Sequence, residues 1–392
     1  MSEWKEYKLG DIANIQTGPF GSQLHKSDYK STGIPCIMPC NITANFDICC
    51  SNIAYISEED ADRLCKHKTQ KGDIIYSRRG DIEKCAYISE KESGWVCGTG
   101  CLKVCINSEK ANSKFIAYQL STPLLKSWIV GNAVGTTMLN LNTSILSECP
   151  ISLPSLSTQQ KIANILSSLD DKIEVNRRIN EQLEELAQAL FKSWFVDFEP
   201  FKDGEFVESE LGMIPKGWKV GTLEELIEIK YGKDHKKLND GGIPVYGSGG
   251  IMRYVDKSLF TGESVLIPRK GTLNNVMYVN RDFWTVDTMF FSKMKVPNIA
   301  IFVYLFLSKK DLASMNSGSA VPSMTVDILN RIQLVIPSDK VFEDYNNVVS
   351  SLFAQMSNNS KEILHLTTLR DTLLPKLMSG EMDVNERGLK RT

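Results

Sequence analysis

The longest uninterrupted pattern in the sequence begins at Ser157 and reads STQQKIANILSSLDDKIEVNRRINEQLEELAQALFKSWF, ending at Phe195. No Pro or Gly interrupts it, and one set of its residues alternates at spacings of 4 and 3. This seam comprises Ile162, Leu166, Leu169, Ile173, Asn176, Asn180, Leu183, Ala187, Leu190 and Trp194. Strict 4-3 spacing gives one narrow stripe, so it predicts a long helix that packs along another helix as a coiled coil. Ser157 and Gln160 have the spacing of a capping box at its start.

A second seam with the same spacing lies near the end of the chain. It comprises Tyr345, Val349, Leu352, Met356, Asn359, Ile363, Leu366, Arg370, Leu373 and Leu377. Gly380 is placed to end this helix, which contains Pro375 in its last turn. The two seams predict that the helices pack on each other. The alternative is that each helix is amphipathic and packs only on its own domain.

An antiparallel arrangement makes a specific prediction for two asparagines. If the centres of the two seams coincide, Asn180 faces Asn359, and the pair fixes the register of the helices. The central seam residues of this predicted helix pair are Leu169, Ile173, Asn176, Asn180, Leu183, Leu352, Met356, Asn359, Ile363 and Leu366.

The whole chain is an internal repeat. Five residues recur at an offset of 214: Trp4, Leu9, Ile12, Ile15 and Gly18 recur as Trp218, Leu223, Leu226, Ile229 and Gly232. The segment ending in Arg78-Arg79-Gly80 recurs as one ending in Arg269-Lys270-Gly271, and Trp95 is aligned with Trp284. The helical blocks recur at an offset of 183. A repeat of this length predicts two copies of one unit, each a mixed domain followed by a long helix.

The two mixed regions contain short β-like runs separated by Gly, Pro, Asn and Asp, with occasional helical stretches. The β-like runs are Asp73–Ser77, Lys84–Ile88, Gly100–Ile106, Ser264–Pro268 and Val276–Val279, and the helical stretches are Ser113–Leu125 and Asn298–Ser308. The fold class is therefore predicted to be α+β. The predicted domains are a first recognition domain at 1–156, a central helix at 157–199, a second recognition domain at 200–340, and a C-terminal helix and tail at 341–392.

Composition excludes several classes of protein. The 392 residues include 42% hydrophobic residues, enough for globular cores, and no apolar run approaches the ~18 residues that span a bilayer. The first residues lack the apolar core of a signal peptide, so a cytoplasmic protein is expected. Lys and Arg number 45 against 47 Asp and Glu, which argues against a protein that coats nucleic acid by bulk positive charge.

The ten cysteines all lie between Cys36 and Cys149. Their spacing differs from the CxxC of most structural zinc sites, so reduced thiols in a core are favoured over zinc. The segment holding Cys97, Cys101 and Cys105 alternates like one strand, which would place the three side chains on the same face.

Several motifs together resemble the DNA-specificity (S) subunit of type I restriction–modification systems. The motifs are Leu9-Gly-Asp11-Ile, Gly18-Pro-Phe-Gly-Ser22, Gly72-Asp-Ile-Ile-Tyr-Ser-Arg-Arg-Gly80, the entry to the central helix at 153–163, Tyr231-Gly-Lys233 and Ile243-Pro-Val-Tyr-Gly-Ser-Gly-Gly250. Arg370 departs from the pattern, since the family often has Leu or Ile there. It could lie at an exposed end, pair with an acidic residue or contact another subunit.

The resemblance implies two recognition domains separated by helices that pair as an antiparallel coiled coil with pseudo-twofold symmetry. It also implies a subunit without catalysis or cofactor that binds a bipartite double-stranded DNA site. Two methyltransferase (M) subunits and the restriction and motor (R) subunits would be its partners. No phosphate-binding loop and no amino-methyltransferase motif occurs. Two alternatives stay open: a methyltransferase or nuclease with an unrecognised site, and a structural coiled-coil adaptor.

The duplicated basic loops are the main candidates for DNA contact, because paired cations suit phosphate or guanine and the glycine allows close backbone approach. The loops just beyond Gly18 and Gly232 carry further base-reading side-chain types. The candidate DNA-binding residues are Ser22, Gln23, His25, Lys26, Arg78, Arg79, Lys233, His235, Lys236, Arg269, Lys270, Asn274 and Asn275. The alternative is that these are solvated loops and turns.

Overall fold

The computed structural model describes residues 4–43, 46–135, 139–315, 323–385 and 388–391. The helices are α1 Leu9–Ile12, α2 Glu58–Arg63, α3 Ser113–Leu120, α4 Pro123–Asn132, α5 Thr143–Ser147, α6 Leu156–Phe195, α7 Leu223–Leu226, α8 Ala300–Ser308, α9 Val326–Asn330 and α10 Asp339–Met378. The strands are β1 Lys5–Lys8, β2 Ala13–Thr17, β3 Tyr29–Lys30, β4 Ile34–Ile37, β5 Ala54–Ile56, β6 Ile74–Ser77, β7 Cys85–Tyr87, β8 Val96–Cys97, β9 Cys101–Ile106, β10 Pro150–Leu153, β11 Phe206–Ser209, β12 Gly212–Pro215, β13 Lys219–Thr222, β14 Ile227–Tyr231, β15 Asp240–Gly247, β16 Gly250–Val255, β17 Glu263–Pro268, β18 Met277–Asn280, β19 Trp284–Thr285, β20 Met289–Met294, β21 Gln333–Ile336, β22 Met382–Asn385 and β23 Gly388–Arg391.

The chain forms two compact units. Unit 1 combines Met1–Glu174 with Ile363–Thr392, and unit 2 is the continuous segment Val175–Glu362. The core of unit 1 is therefore built from both ends of the chain: Leu9 and Phe115 pack in one cluster with Leu377 and Val384, and Trp4 packs against it.

The main antiparallel sheets of the two units have the same strand order, and the second sheet has four strands in unit 1 (β3-β5-β4-β8) and three in unit 2 (β16-β15-β19). In unit 1 an antiparallel sheet has the order β2-β9-β6-β7, and β4 pairs in parallel with β8. In unit 2 the antiparallel sheet has the order β14-β20-β17-β18, and β15 pairs in parallel with β19. A two-stranded pair, β1 with β10 or β13 with β21, completes each domain. The predicted tandem repeat of α/β domains is thus confirmed.

The register of the repeat differs by one residue from the sequence alignment at one place. Cys36 in β4 pairs with Val96, whereas its counterpart Val245 in β15 pairs with Trp284. Val96 is therefore the structural counterpart of Trp284, and the predicted match of Trp95 with Trp284 is wrong. The sequence alignment matches the two tryptophans because they are identical, but the parallel pairing of β4 with β8 and of β15 with β19 determines which residues are structurally equivalent.

Two predicted helix boundaries also need correction. The helix α6 begins at Leu156, and the Thr158 N–H donates to Ser155 Oγ at 3.3 Å, so the cap is Ser155 and not Ser157. The predicted helix over 113–125 is broken into α3 and α4. Pro123 lacks an N–H for the helical ladder, and Thr122 caps the new helix.

The two long helices pair in antiparallel fashion within unit 2. Asn176 Nδ2 donates to Glu362 Oε2 at 2.8 Å, Asn359 Nδ2 donates to Asn180 Oδ1 at 2.9 Å, and the ring of Phe195 lies 4.7 Å from that of Tyr345. Along these three contacts the residue numbers increase on α6 and decrease on α10, so the two helices run antiparallel. All the positions of both predicted seams are buried or half-buried. Asn180 and Asn359 therefore meet as predicted, but they are half-buried, and the fully buried seam asparagine is Asn176.

The asparagine pair is expected to contribute measurably to the pairing of these helices. Asn180→Leu leaves the Asn359 Nδ2 donor without its partner, at about 1–2 kcal/mol, and Asn359→Leu leaves Asn180 Oδ1 without its donor. Leucine at both positions should recover part of the loss, giving a coupling above about 0.5 kcal/mol in a double-mutant cycle. Hydrogen exchange of the amides in 175–195 and 339–362 measures the effect, with the exposed neighbour Asn358→Leu as control. Additive effects would show that the two amides do not interact.

The unusual seam residue Arg370 pairs with an acidic residue, one of the three predicted alternatives. Within unit 1, Arg370 Nη1 donates to Asp170 Oδ1 at 2.8 Å, and Tyr118 Oη on α3 donates to Asp170 Oδ2 at 2.5 Å. The Arg370 side chain is 17% exposed. A half-buried charge is thus compensated by a carboxylate that also fixes α3 to the long helix.

The cysteines divide between core and surface. Cys36, Cys85, Cys97, Cys101 and Cys149 are buried, but Cys40, Cys49, Cys50 and Cys65 are exposed, so the expectation of core thiols holds for only part of the set. Burial raises the pKa of Cys36, Cys85 and Cys149 to about 12. Cys97 belongs to β8 and Cys101 to β9, so the prediction of one shared strand is wrong. Across the described ranges no cluster of His, Cys, Asp and Glu is arranged to hold a metal ion.

No helix in the described part of the chain is long and apolar enough to cross a membrane.

Candidate nucleic-acid interface

In unit 2 the two predicted loops are attached to one short segment, residues 285–289, which we call the anchor segment of unit 2. Backbone N–H groups of both loops donate to its carbonyl groups, each at 2.9 Å: Gly232 to Met289, Lys233 to Thr285 and Arg269 to Thr288. The Trp284 Nε1–H adds a bond to the Lys233 carbonyl at 2.9 Å. The loop after β14 and the basic loop after β17 are therefore held side by side.

Unit 1 repeats this construction on its own anchor segment, residues 97–101. The Gly18 N–H donates to the Cys101 carbonyl at 2.9 Å and the Arg78 N–H to the Gly100 carbonyl at 2.8 Å. The carbonyl of the basic-loop arginine also has equivalent partners, since Leu141 donates to Arg78 and Met324 donates to Arg269. The structure thus brings together, in each unit, two loops that lie far apart in sequence.

Gly18 and Gly232 are required because backbone passes directly against them. A Cβ at Gly18 would lie 2.1 Å from the Gly98 carbonyl oxygen, and one at Gly232 would lie 2.0 Å from that of Val286. No side chain fits at either position. Each glycine fixes the start of its loop against the anchor segment.

The glycines that end the basic loops are required by the geometry of their turns. Gly80 and Gly271 have φ values of 75° and 85°, a left-handed conformation that other residues adopt at a cost. A Cβ at Gly80 would meet no atom within 4 Å. The turn geometry therefore favours glycine in both loops, and at Gly271 a Cβ would in addition lie 2.5 Å from Ser248 Oγ.

In unit 1 most of the candidate residues are on the surface. Ser22, His25, Lys26 and Arg79 are exposed, and Gln23 and Arg78 are half-buried. Gln23 is partly engaged, because its Oε1 accepts the Phe20 N–H at 3.4 Å and Arg63 holds its carbonyl at 2.8 Å. Arg79 and Lys26 are therefore the cations most accessible from solvent.

In unit 2 the cations Lys233, Lys236 and Lys270 are exposed, and His235 and Arg269 are half-buried. His235 lines a cavity of about 390 Å³ together with Ser248, Asp287 and Thr288. The backbone N–H of Lys236 lowers the pKa of Asp234. The loop after β14 thus carries an ionised carboxylate among its cations, which locally reduces its positive potential.

The Arg269 side chain is held in place by two contacts. Its Cζ lies 5.5 Å from the ring centroid of Tyr231, and its Nη1 donates to the Asp287 carbonyl at 3.3 Å. Among the described residues no carboxylate pairs with it, in contrast to Arg253, which pairs with Asp240 at 2.6 Å. Arg269 therefore keeps both its full charge and most of its donors.

Asn274 and Asn275 are engaged within the protein. Asn274 Nδ2 donates to Asp311 Oδ1 at 3.1 Å and its Oδ1 accepts the Ala313 N–H at 2.8 Å. Asn275 Nδ2 donates to the Ser248 carbonyl at 2.8 Å. These contacts favour the alternative that both asparagines stabilise turns. Neither asparagine belongs to the residues proposed to contact bases.

Sequence reasoning missed Tyr231 as a site residue, although it belongs to a quoted motif. Its ring is 55% exposed at the end of β14 and packs edge-on against Phe290 at 5.1 Å. The available signal was an aromatic residue next to Gly232 at a strand end. Its partner Arg269, far along the chain, was not evident from that signal.

The described units define a class of protein: a tandem pair of α/β recognition domains, each joined to long paired helices. The family profile of the type I restriction modification DNA specificity domain matches residues 1–185 and 215–362, and the chain belongs to this family. It is similar to the MjaIX specificity subunit of Methanocaldococcus jannaschii, with 29% identity over 98% of this chain and 94% of the relative. The HindI specificity subunit of Haemophilus influenzae is 25% identical over 97% of this chain and all of the relative.

Among solved structures, the fold resembles the S subunit of a type I restriction–modification system from M. genitalium. The TM-score is 0.63 at 20% identity, and the match covers 96% of each chain. This likeness confirms the fold, and the family identifies the chain as a specificity subunit of the type I restriction–modification class.

Proposed function

We propose that this chain is a non-catalytic subunit that binds a bipartite double-stranded DNA sequence in the cytoplasm, one half-site for each recognition domain. It also serves as a scaffold for two methyltransferase subunits and for the restriction and motor subunits. The anchor segments carry this proposal. In both units equivalent hydrogen bonds, one from the glycine and one from the first arginine of the basic loop, hold that loop next to the loop that follows Gly18 or Gly232.

The chemistry of these loops suits DNA. Arg79 and Lys270 are exposed cations for phosphate, while Arg78 and Arg269 are half-buried, and the Arg269 side chain is held by Tyr231 and the Asp287 carbonyl. Fixed guanidinium groups can donate two hydrogen bonds to guanine, which is the commonest specific contact in the major groove. The polar residues Ser22, Gln23, His25, Lys26, Lys233, His235 and Lys236 extend each loop pair. Different side chains on equivalent loops are expected to bind different half-sites.

The charge of the chain supports a role within a larger assembly. The formal net charge is -2, and a protein that neutralised many phosphates alone would be more basic. Partner subunits would then supply part of the phosphate contacts. The proposal accordingly predicts tighter DNA binding by the chain together with a methyltransferase subunit than by the chain alone.

Alanine at the two loop arginines is expected to affect one half-site each. Arg78→Ala should weaken discrimination in the first half-site and Arg269→Ala in the second, by about 1–3 kcal/mol if each guanidinium contacts a guanine. Binding is measured on duplexes selected from a random pool, with the full chain and its methyltransferase subunit. Arg331→Ala, an exposed arginine at the end of α9, is the control.

The salt dependence separates the two kinds of contact. A uniform loss of affinity with a shallower salt slope would assign the arginine to phosphate. If Arg78→Ala and Arg269→Ala both bind DNA as the parent does, the proposal that these loops contact DNA is wrong. If the complex with the methyltransferase subunit selects no sequence, the function itself is wrong and the structural adaptor is favoured.

A further inference from the structure

We propose that Tyr231 is a positioning residue that determines specificity in the second half-site by holding Arg269 in a base-contacting orientation. This inference rests on the proposed function and deepens it. It concerns the contact between the last side chain of β14 and a side chain of the basic loop that follows β17 in unit 2.

The sheet brings the two residues together on one face. Tyr231 in β14 is paired with Phe290 in β20, and Phe290 is paired with Ile267 in β17. Paired residues on neighbouring strands share a face, and Arg269 follows Ile267 by two positions. Arg269 therefore extends from β17 on the side of the sheet where the Tyr231 ring lies.

The contact with the Tyr231 ring orients Arg269 without using up its hydrogen-bond donors. The guanidinium Cζ lies 5.5 Å from the Tyr231 ring centroid, a cation–π contact that takes up none of the N–H donors in a hydrogen bond. Recognition of guanine uses the edge of the guanidinium, where its N–H groups lie. The Asp287 carbonyl takes one of these donors at 3.3 Å, and the others stay available.

The Tyr231 ring is itself fixed. It packs edge-on against Phe290, which is fully buried, with centroids 5.1 Å apart and an interplanar angle of 72°. An exposed aromatic ring supported by a buried one makes a rigid surface for the arginine. Arg269 is thus ordered before DNA binds, and the entropy cost of ordering a long side chain is reduced at the moment of binding.

In the described part of unit 1, Arg78 has no contact equivalent to that between Arg269 and Tyr231. The strand position equivalent to Tyr231 is occupied by Thr17, which pairs with Leu102 in β9 as Tyr231 pairs with Phe290. Among the described residues no aromatic ring contacts Arg78. The first repeat therefore provides a natural substitution for the test, and Tyr231→Thr is a variant with a side chain that the equivalent strand position accommodates.

The experiment measures base preference at every position of both half-sites, using the full chain with its methyltransferase subunit and a randomised duplex pool. Tyr231→Ala and Tyr231→Thr should reduce the preference at one base pair about fivefold, and this should be the base pair at which Arg269→Ala loses preference. Tyr231→Phe, which keeps the ring, should retain parental preference. In an Arg269→Ala background, Tyr231→Ala should have no further effect at that base pair.

Other outcomes of this experiment would contradict the inference. If Tyr231→Ala and Tyr231→Thr both keep the parental base preference, the inference is wrong. It is also wrong if base preference falls equally at all positions of the second half-site, because that result indicates a purely structural role for Tyr231. If Arg269→Ala leaves the selected sequence unchanged, Arg269 contacts no base and the inference is wrong. If the complex with the parental chain selects no sequence, the proposed function itself is wrong, and the inference that rests on it is wrong as well.

Discussion

Replacing Gly232 with alanine is expected to abolish recognition of the second half-site and leave the first intact. The added Cβ would lie 2.0 Å from the Val286 carbonyl oxygen, a distance that requires the backbone to move. The Gly232 and Lys233 bonds to the anchor segment of unit 2 would be lost, and Arg269 is attached to the same segment. We expect a local destabilisation of about 3 kcal/mol. Hydrogen exchange of residues 227–237 and 284–294 together with duplex selection measures both effects.

The matched control is Gly242→Ala, because a Cβ at Gly242 meets no atom within 4 Å and its backbone needs no left-handed conformation. Gly18→Ala should produce the reciprocal result, with loss of the first half-site only. If Gly232→Ala retains parental selection in the second half-site, the anchor segment does not position the recognition loops.

Phe195→Ala is expected to destabilise unit 2 by about 3–5 kcal/mol, the range for removing a buried aromatic side chain. The ring of Phe195 lies 4.8 Å from that of Phe302 on α8, 4.7 Å from that of Tyr345 on α10, and 6.0 Å from that of Trp218. It therefore joins the central helix, the second long helix and the start of the second recognition domain. Calorimetry of the full chain should show an earlier transition for unit 2.

The control for this substitution is Val196→Ala. Val196 follows Phe195 directly but is 56% exposed, so its truncation should change stability by less than about 0.5 kcal/mol. Equal stability of the Phe195→Ala chain and the parent would mean that this aromatic cluster does not fix the recognition domain to the long helices.

The long helices and their pairing were predictable because the signal is local and repetitive. Heptad spacing identifies the seam, and the alignment of two seam centres predicts the contact of Asn180 with Asn359 that the structure contains. Helix ends were less predictable. Ser155 and Ser157 are equally plausible caps in sequence, and only the backbone geometry decides that Ser155 accepts the Thr158 N–H.

The candidate interface was predictable in its loops but not in its side-chain geometry. The repeat identified Arg78 and Arg269 as equivalent, and the structure gives their backbones the same hydrogen bonds. The cation–π contact of Arg269 with Tyr231 depends on the pairing of three strands, which the sequence does not specify. The same is true of Asn274, whose two contacts to residues 311–313 come from a distant loop.

The discontinuity of unit 1 determines the order in which the protein can fold on the ribosome. Unit 2 is continuous and is complete once residue 362 has left the exit tunnel, whereas the core around Leu9 also requires Leu377 and Val384. Translation of the intervening ~190 residues takes roughly 10–40 s at ~5–20 residues per second. The residues around Leu9 are thus synthesised before unit 2 but complete their own unit after it, and during this interval the apolar surface that awaits the second long helix needs protection from aggregation.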